Sequence, residues 1–153
     1  MIFIVLLVVC LIIAQLAARK SAQAPANSSP VLTISYTNGA STDLIKEISI
    51  KPGDIISSPL TISGMARGTW YFEASFPIIL TDGDGLIIAQ GVAQAKSDWM
   101  TSEFVPFEST IEFTKPVNAA AFGNRASIIL KNDNPSGDPV RDMSVEIPVQ
   151  FQP

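Results

Sequence analysis

The chain has 153 residues, a net charge of −4, no histidine and one cysteine. Apart from Arg19 and Lys20, it carries eight basic against fourteen acidic side chains. This acidic balance argues against nucleic acid as a partner, because phosphate backbones are bound by clustered Lys and Arg. Without histidine the commonest general base and metal ligand is missing, and a single cysteine permits no disulfide within the chain. We therefore expect no metal and no cofactor.

Residues 1–18 form an apolar run that contains only Cys10 and Gln15 as exceptions. A helix of about 17 residues is at the short end of what crosses a bilayer. We predict an uncleaved signal anchor over residues 1–18. The alternative is a cleaved signal peptide with a processing site at 24–26. Lipidation of Cys10 is disfavoured, because Val9 occupies a position where a small residue is expected.

The orientation of this anchor has to be inferred from few charges. Arg19 and Lys20 follow the apolar run, and the positive-inside rule taken literally would leave the rest of the chain in the cytoplasm. Because the run begins at the first residue, basic residues upstream of it would reverse that orientation, and we expect the body on the extracytoplasmic side. Residues 19–30, rich in Ser, Ala, Gln, Asn and Pro, are predicted to be a linker.

From residue 31 onward, short runs alternate apolar and polar residues between turn residues. In the central run 70–80, Trp70, Phe72, Phe76 and Leu80 share one face, and Asp-Gly-Asp-Gly at 82–85 then reverses the chain. The pattern predicts an all-β fold over 31–153, an antiparallel immunoglobulin-like β-sandwich of about 7–8 strands. The predicted strands cover 31–37, 44–50, 56–66, 70–80, 86–93, 107–113, 126–130 and 143–151.

Five side chains are candidates for binding. Glu73 would hold a ligand amine or form an ion pair with Arg67, and a solvated face is the simpler interpretation. If Glu73 served a hydrolase, Asp98 or Glu103 would be the second carboxylate, although nothing in the spacing requires it. Trp99 lies in a predicted loop and would offer an aromatic platform to a sugar ring. Asn134 belongs to a polar run at 132–134 that offers oxygen ligands, although a turn explains that run more simply.

The order of several motifs resembles the immunoglobulin-like domain of bacterial spore germination. The resemblance covers residues 48–151, and the segments that carry it are 50–54, 58–68, 70–73, 84–85, 99–107, 134–137 and 147–149. It implies a β-sandwich on the outer side of the bacterial cytoplasmic membrane, often behind a signal or lipid anchor. It also implies a link to germination in spore formers, and it brings no catalytic residues.

Together these observations predict a non-catalytic module of the bacterial cell envelope that binds or assembles with another component. The expected location is the cytoplasmic membrane, with a single-pass anchor and an extracytoplasmic body. The expected partner is an envelope protein or a cell-wall polymer. The alternative function is a cell-wall carbohydrate-binding module that uses the loop aromatics around Trp99.

Overall fold

The computed structural model describes residues 32–153, so the anchor predicted over 1–18 and the linker over 19–30 lie outside the described residues. Within 32–153 no helix is both long and apolar enough to cross a membrane. These residues form nine strands and three short 3₁₀ turns. The strands are β1 Ser35–Thr37, β2 Ile45–Lys46, β3 Ile55–Ile56, β4 Leu60–Arg67, β5 Ser75–Asp82, β6 Ile87–Ala95, β7 Phe104–Ile111, β8 Arg125–Lys131 and β9 Ser144–Phe151.

The strands join in one hydrogen-bonded sheet with the order β1-β9-β8-β5-β6-β7-β4-β2. All the pairs along this path are antiparallel, and the all-β prediction is confirmed. The sheet curls into a half-barrel, whereas the sequence predicted two facing sheets. The curl brings both halves of one continuous sheet around a single core.

Strand β9 lies near one side of the sheet and has three partners. It pairs with β8 along one edge, and its other edge is shared by antiparallel β1 and parallel β3. Pro148 lies between the β1 and β3 pairings, where its carbonyl accepts a 2.8 Å hydrogen bond from Gly53 N. A proline is tolerated there because no neighbouring strand requires its missing N–H.

The core is built from alternate residues of β4 to β9, as the period-two pattern predicts. Its largest aromatic cluster surrounds Phe76. The ring centroid of Phe76 lies 5.0 Å from Phe107, 5.2 Å from Tyr71 and 6.4 Å from Trp70, and all three pairs are edge-on. Edge-on aromatic pairs contribute about 0.5–1.5 kcal/mol beyond the burial of their area.

The predicted strand over 70–80 is wrong in its first half. Trp70 ends a 3₁₀ turn at Gly68–Trp70, and β5 begins only at Ser75. Phe72 and Ser75 exchange backbone hydrogen bonds of 3.0 Å around a two-residue turn at 73–74. The turn reverses the expected faces, so Tyr71 is buried and Phe72 is exposed.

Candidate functional site

All five candidate residues lie at one end of the sheet. Strands β1, β4, β6 and β8 end there, and β2, β5, β7 and β9 begin there. We call this region the loop end, and it comprises Arg67 with loops 38–44, 68–74, 96–103 and 132–143. Glu73, Asp98, Trp99 and Asn134 each belong to one of these loops. The sequence did not place them together, because only the strand order decides which loops are neighbours.

The 3₁₀ turn Gly68–Trp70 connects two of these loops. A Cβ at Gly68 would collide with the carbonyl oxygens of Trp99 and Thr101, so only glycine permits this approach. On the other side, the carbonyl of Trp70 accepts a 3.0 Å hydrogen bond from Asp133 N. The turn therefore fixes loops 96–103 and 132–143 against the end of the core.

Arg67 ties the end of β4 to loop 38–44 and to loop 96–103. Its Nε donates to the carbonyl of Asp43 at 3.0 Å, and its Nη1 donates to the carbonyl of Ser102 at 3.1 Å. The guanidinium stacks on the ring of Phe104, 4.0 Å from its centroid. The planar guanidinium therefore has a structural role, because its N–H groups bind two loop carbonyls while its face covers an aromatic ring.

Glu73 does not form the ion pair that the sequence suggested. The acidic partner of Arg67 is Glu103, with 3.7 Å between Nη1 and Oε2. Glu73 is exposed and has a φ of +49° in the two-residue turn before β5. The turn explains why the ion pair is absent, because the chain reverses at a position where the alternating pattern predicts an extended strand.

Loop 96–103 carries Asp98 and Trp99. Asp98 Oδ1 accepts a 3.0 Å hydrogen bond from Met100 N, which makes the carboxylate a cap of its own turn. Trp99 is half-buried and packs against the core. Its ring is thus partly available as a platform, whereas Trp70 is completely buried.

Asn134 organises the loop before β9. Its Nδ2 donates to the carbonyl of Asp138 and to Asp142 Oδ1, both at 2.8 Å. Its Oδ1 accepts from the backbone N–H of Ser136 at 3.2 Å and from the hydroxyl of Ser136 at 2.6 Å. All the polar groups of this side chain thus have partners inside the loop, as a turn residue requires.

A shallow depression of about 440 Å³ opens beside this loop. Its walls come from three parts of the loop end and include Asn38, Thr69 and Asn134. Seven of its ten lining residues are polar, and the exposed Val140 is one of the three apolar ones. The depression is large enough for a side chain or a single sugar ring.

Two exposed apolar side chains in the loops of this end are not among the residues that the sequence pattern singles out. Met100 is 77% exposed and Val140 is 81% exposed. Phe72, predicted to face the core, is also 39% exposed there. The signal that could have identified Met100 and Val140 is a large apolar residue in a predicted loop. In a loop, no alternation of apolar and polar residues indicates which side chains are buried.

The acidic turns do not form a metal centre within residues 32–153, where no group of three or more potential ligands converges. Asp82 is nearly buried, and its Oδ1 accepts hydrogen bonds from Asp84 N at 3.0 Å and Leu86 N at 2.9 Å. This carboxylate therefore stabilises the β5–β6 turn, as the turn interpretation of the Asp-Gly-Asp-Gly segment expects.

Residues 50–123 match the family model for the immunoglobulin-like domain of bacterial spore germination. The family resemblance is confirmed. The match includes β3 to β7 and four of the five candidate residues, whereas Asn134 and the segments 134–137 and 147–149 lie beyond it. Immunoglobulin-like domains of this kind are generally modules without enzymatic activity. No curated protein and no solved structure matches the chain.

Proposed function

We propose that this spore-germination-type domain is a non-catalytic binding or assembly module of the bacterial cell envelope. In this proposal residues 1–18 anchor it in the cytoplasmic membrane, and the body lies on the extracytoplasmic side. The family match and the apolar N-terminal run support this. Its partner at the loop end is another envelope protein.

The binding proposal rests on a difference between the polar and the apolar side chains of the loop end. Polar groups such as Arg67, Asp98 and Asn134 are engaged in holding the loops. Apolar side chains, namely Phe72, Met100 and Val140, are left exposed on those same loops. Fixed loops that expose apolar side chains among polar ones are typical of protein-binding surfaces.

The test is a crosslinking pull-down of the full-length chain from its native membrane, beside a copy that lacks residues 1–29. We expect both to recover the same discrete protein. Val140→Lys and Met100→Lys should each reduce recovery about tenfold, because a charge replaces an apolar contact. Val117→Lys is the matched control, since Val117 is fully exposed and lies in the β7–β8 connection at the opposite end.

If Val117→Lys lowers the recovery of the partner as much as Val140→Lys does, the loop-end proposal is contradicted.

The location of the body is tested separately by adding protease to intact spheroplasts. Digestion of the body without lysis is expected on the extracytoplasmic side. Protection until lysis would reverse the proposed orientation.

A second candidate is binding of cell-wall carbohydrate. The observation in its favour is that Trp99 is only half-buried in a loop, beside the exposed Met100. Trp99→Ala would then abolish retention on purified peptidoglycan while the near-ultraviolet circular dichroism of Trp70 stays native. Unchanged retention, or recovery of a protein partner only, would reject this candidate.

A further inference from the structure

The inference concerns the depression of about 440 Å³ at the loop end, whose lining includes Asp133 and Arg141. Within residues 32–153 no ion pair joins these two side chains. The Asp133 carboxylate is half-buried, and in the same part of the chain it accepts no hydrogen bond from the polar side chains around it. A carboxylate that has lost part of its hydration without gaining a partner favours the approach of a cation.

The walls that carry these two residues are fixed against each other by Asn132. Its side chain is only 7% exposed, and it directly precedes Asp133 in the chain. Its Nδ2 donates a 3.0 Å hydrogen bond to the carbonyl of Arg141, and its Oδ1 accepts a 2.7 Å bond from Met143 N. On the opposite side, Asp133 N is bonded to the carbonyl of Trp70. The depression is therefore preformed, as small-molecule sites usually are.

The guanidinium of Arg141 keeps its terminal N–H groups available. Its Nε lies 4.0 Å from Asp138 Oδ2, and the two side chains are 72% and 51% exposed. An exposed pair at this distance contributes little free energy. Because the contact is made at Nε, both Nη groups can still bind a carboxylate with two parallel hydrogen bonds.

The other carboxylates of loop 132–143 hold the loop itself together. Asp138 Oδ1 accepts a 3.1 Å hydrogen bond from Val140 N, and Asp142 Oδ1 accepts a 2.8 Å bond from Asn134 Nδ2. Among the residues that line the depression in the described part of the chain, Asp133 is the only acid and Arg141 is the only base. The depression thus offers one anionic and one cationic group.

We propose that this depression binds a small zwitterion, an amino acid whose ammonium group contacts Asp133 and whose carboxylate contacts Arg141. Val140 and Met143 provide apolar lining for the side chain of that amino acid. This site goes beyond the function proposed above. A protein partner that contacts the exposed apolar loops does not require the site, and the site does not require such a partner.

The two opposite charges distinguish the zwitterion from other occupants of similar size. A basic side chain would pair with Asp133 but would place a like charge near Arg141. An acidic side chain would have the same conflict with Asp133, and a neutral sugar ring would leave both charges without a counter-ion. Only a ligand that carries both charges is complementary to both groups.

The first experiment records amide resonances of the full ¹⁵N-labelled chain in lipid nanodiscs during titration with L-valine. Its matched probes are isobutylamine, which is valine without the carboxylate, and 3-methylbutanoate, which is valine without the ammonium group. We expect L-valine to shift resonances within 132–136 and 140–143, and to bind about tenfold more tightly than either single-charge probe. No shift with L-valine, or equal binding by a single-charge probe or by N-acetylglucosamine, overturns the proposal.

The second experiment removes one charge of the site at a time. In Asp133→Asn, L-valine should bind no better than 3-methylbutanoate, because its ammonium group has lost its partner. In Arg141→Gln, L-valine should bind no better than isobutylamine. Asp84→Asn is the matched control, since Asp84 is exposed in the β5–β6 turn at the opposite end, and it should leave L-valine binding unchanged.

The control and the remaining resonances separate a binding role from a structural one. A variant at Asp133 or Arg141 that keeps the original affinity for L-valine overturns the proposal. So does a loss of binding that Asp84→Asn reproduces. Resonances outside the loop end should remain unchanged in all three variants, which shows that each chain is folded.

Discussion

At the scale of single residues, the loop end depends on side chains that join segments distant in the sequence. Arg67 is the clearest case, because it reaches the carbonyls of Asp43 and Ser102 and covers the ring of Phe104. Its ion pair with Glu103 is peripheral, since the Glu103 side chain is 79% exposed. Such an exposed pair contributes little free energy in water. The forked hydrogen bonds of Arg67, rather than its charge, should therefore stabilise the loops.

This distinction predicts different costs for two substitutions. Arg67→Lys keeps the charge but loses the planar fork, and we expect the free energy of unfolding to fall by about 1–2 kcal/mol. Glu103→Gln removes only the exposed ion pair and should cost less than about 0.5 kcal/mol. Urea unfolding followed by tryptophan fluorescence measures both. Equal costs would mean that the ion pair holds the loops.

Tyr71 predicts how the stability depends on alkaline pH. Burial raises the pKa of its phenol above the ordinary value of 10.0. The folded state therefore favours the neutral phenol, so its stabilising contribution is complete below pH 10 and is lost as the pH rises above that value. The phenol also donates a 2.8 Å hydrogen bond to the carbonyl of Val105.

Tyr71→Phe should remove this loss of stability above pH 10. At neutral pH the variant should be less stable by about 1 kcal/mol, because the carbonyl of Val105 loses its donor. Tyr36→Phe is the control, since Tyr36 is 37% exposed on β1 and should leave the alkaline slope unchanged. The measurement is urea unfolding repeated across this pH range. An unchanged slope in Tyr71→Phe would contradict the assignment.

At the scale of elements, the turn between the 3₁₀ segment and β5 has conformations that its residues do not favour. Glu73 and Ala74 have φ values of +49° and +62°. Two successive residues with positive φ form the tight hairpin turn that Asn-Gly normally occupies. Since neither residue prefers the left-handed region, the sequence carries no turn signal, and period two was wrongly extended through 70–74.

Replacing Ala74 with glycine should therefore stabilise the domain. Ala74→Gly removes the left-handed strain but adds backbone entropy to the unfolded chain, so we expect a net gain of about 0.5 kcal/mol. Ala95→Gly is the matched control, because Ala95 lies in β6 with extended backbone, and it should lose about 0.5–1 kcal/mol. Thermal unfolding measures both, and a loss in Ala74→Gly would contradict the turn argument.

At the scale of the whole molecule, the matched family segment is not a complete folding unit. It ends at residue 123, before β8 and β9. Strand β8 lies between β5 and β9, and together these last two strands contribute fully buried side chains to the core. Those side chains are Ile128, Leu130, Val145, Ile147 and Phe151.

A chain that ends after Gly123 should consequently fail to fold. It would expose the β8-side edge of β5 and remove the partner that β1 and β3 share. We expect loss of the near-ultraviolet circular dichroism signal and of cooperative unfolding. A chain that ends after Phe151 is the control and should remain folded, because it keeps every strand. Cooperative unfolding of the shorter chain would contradict this account.

The sequence by itself determined the all-β class, the family resemblance and the approximate positions of most strands. These follow from local patterns, since alternation of buried and exposed residues in β5, β7, β8 and β9 reflects a strand with one covered face. Turn residues such as those at 82–85 also act locally, through their own backbone preferences.

Only the tertiary structure decided which loops meet. The partner of Arg67 and the turn at 73–74, whose Ala74 carbonyl accepts a hydrogen bond from Ala95 N, depend on contacts between segments far apart in the chain. Such contacts produce no periodic pattern in the sequence, because each depends on a single residue of suitable shape or charge at one position. The candidate residues could therefore be chosen from the sequence. The strand order, however, is what brings them to one end of the sheet, and it also gives Arg67, Asp98 and Asn134 their structural roles there.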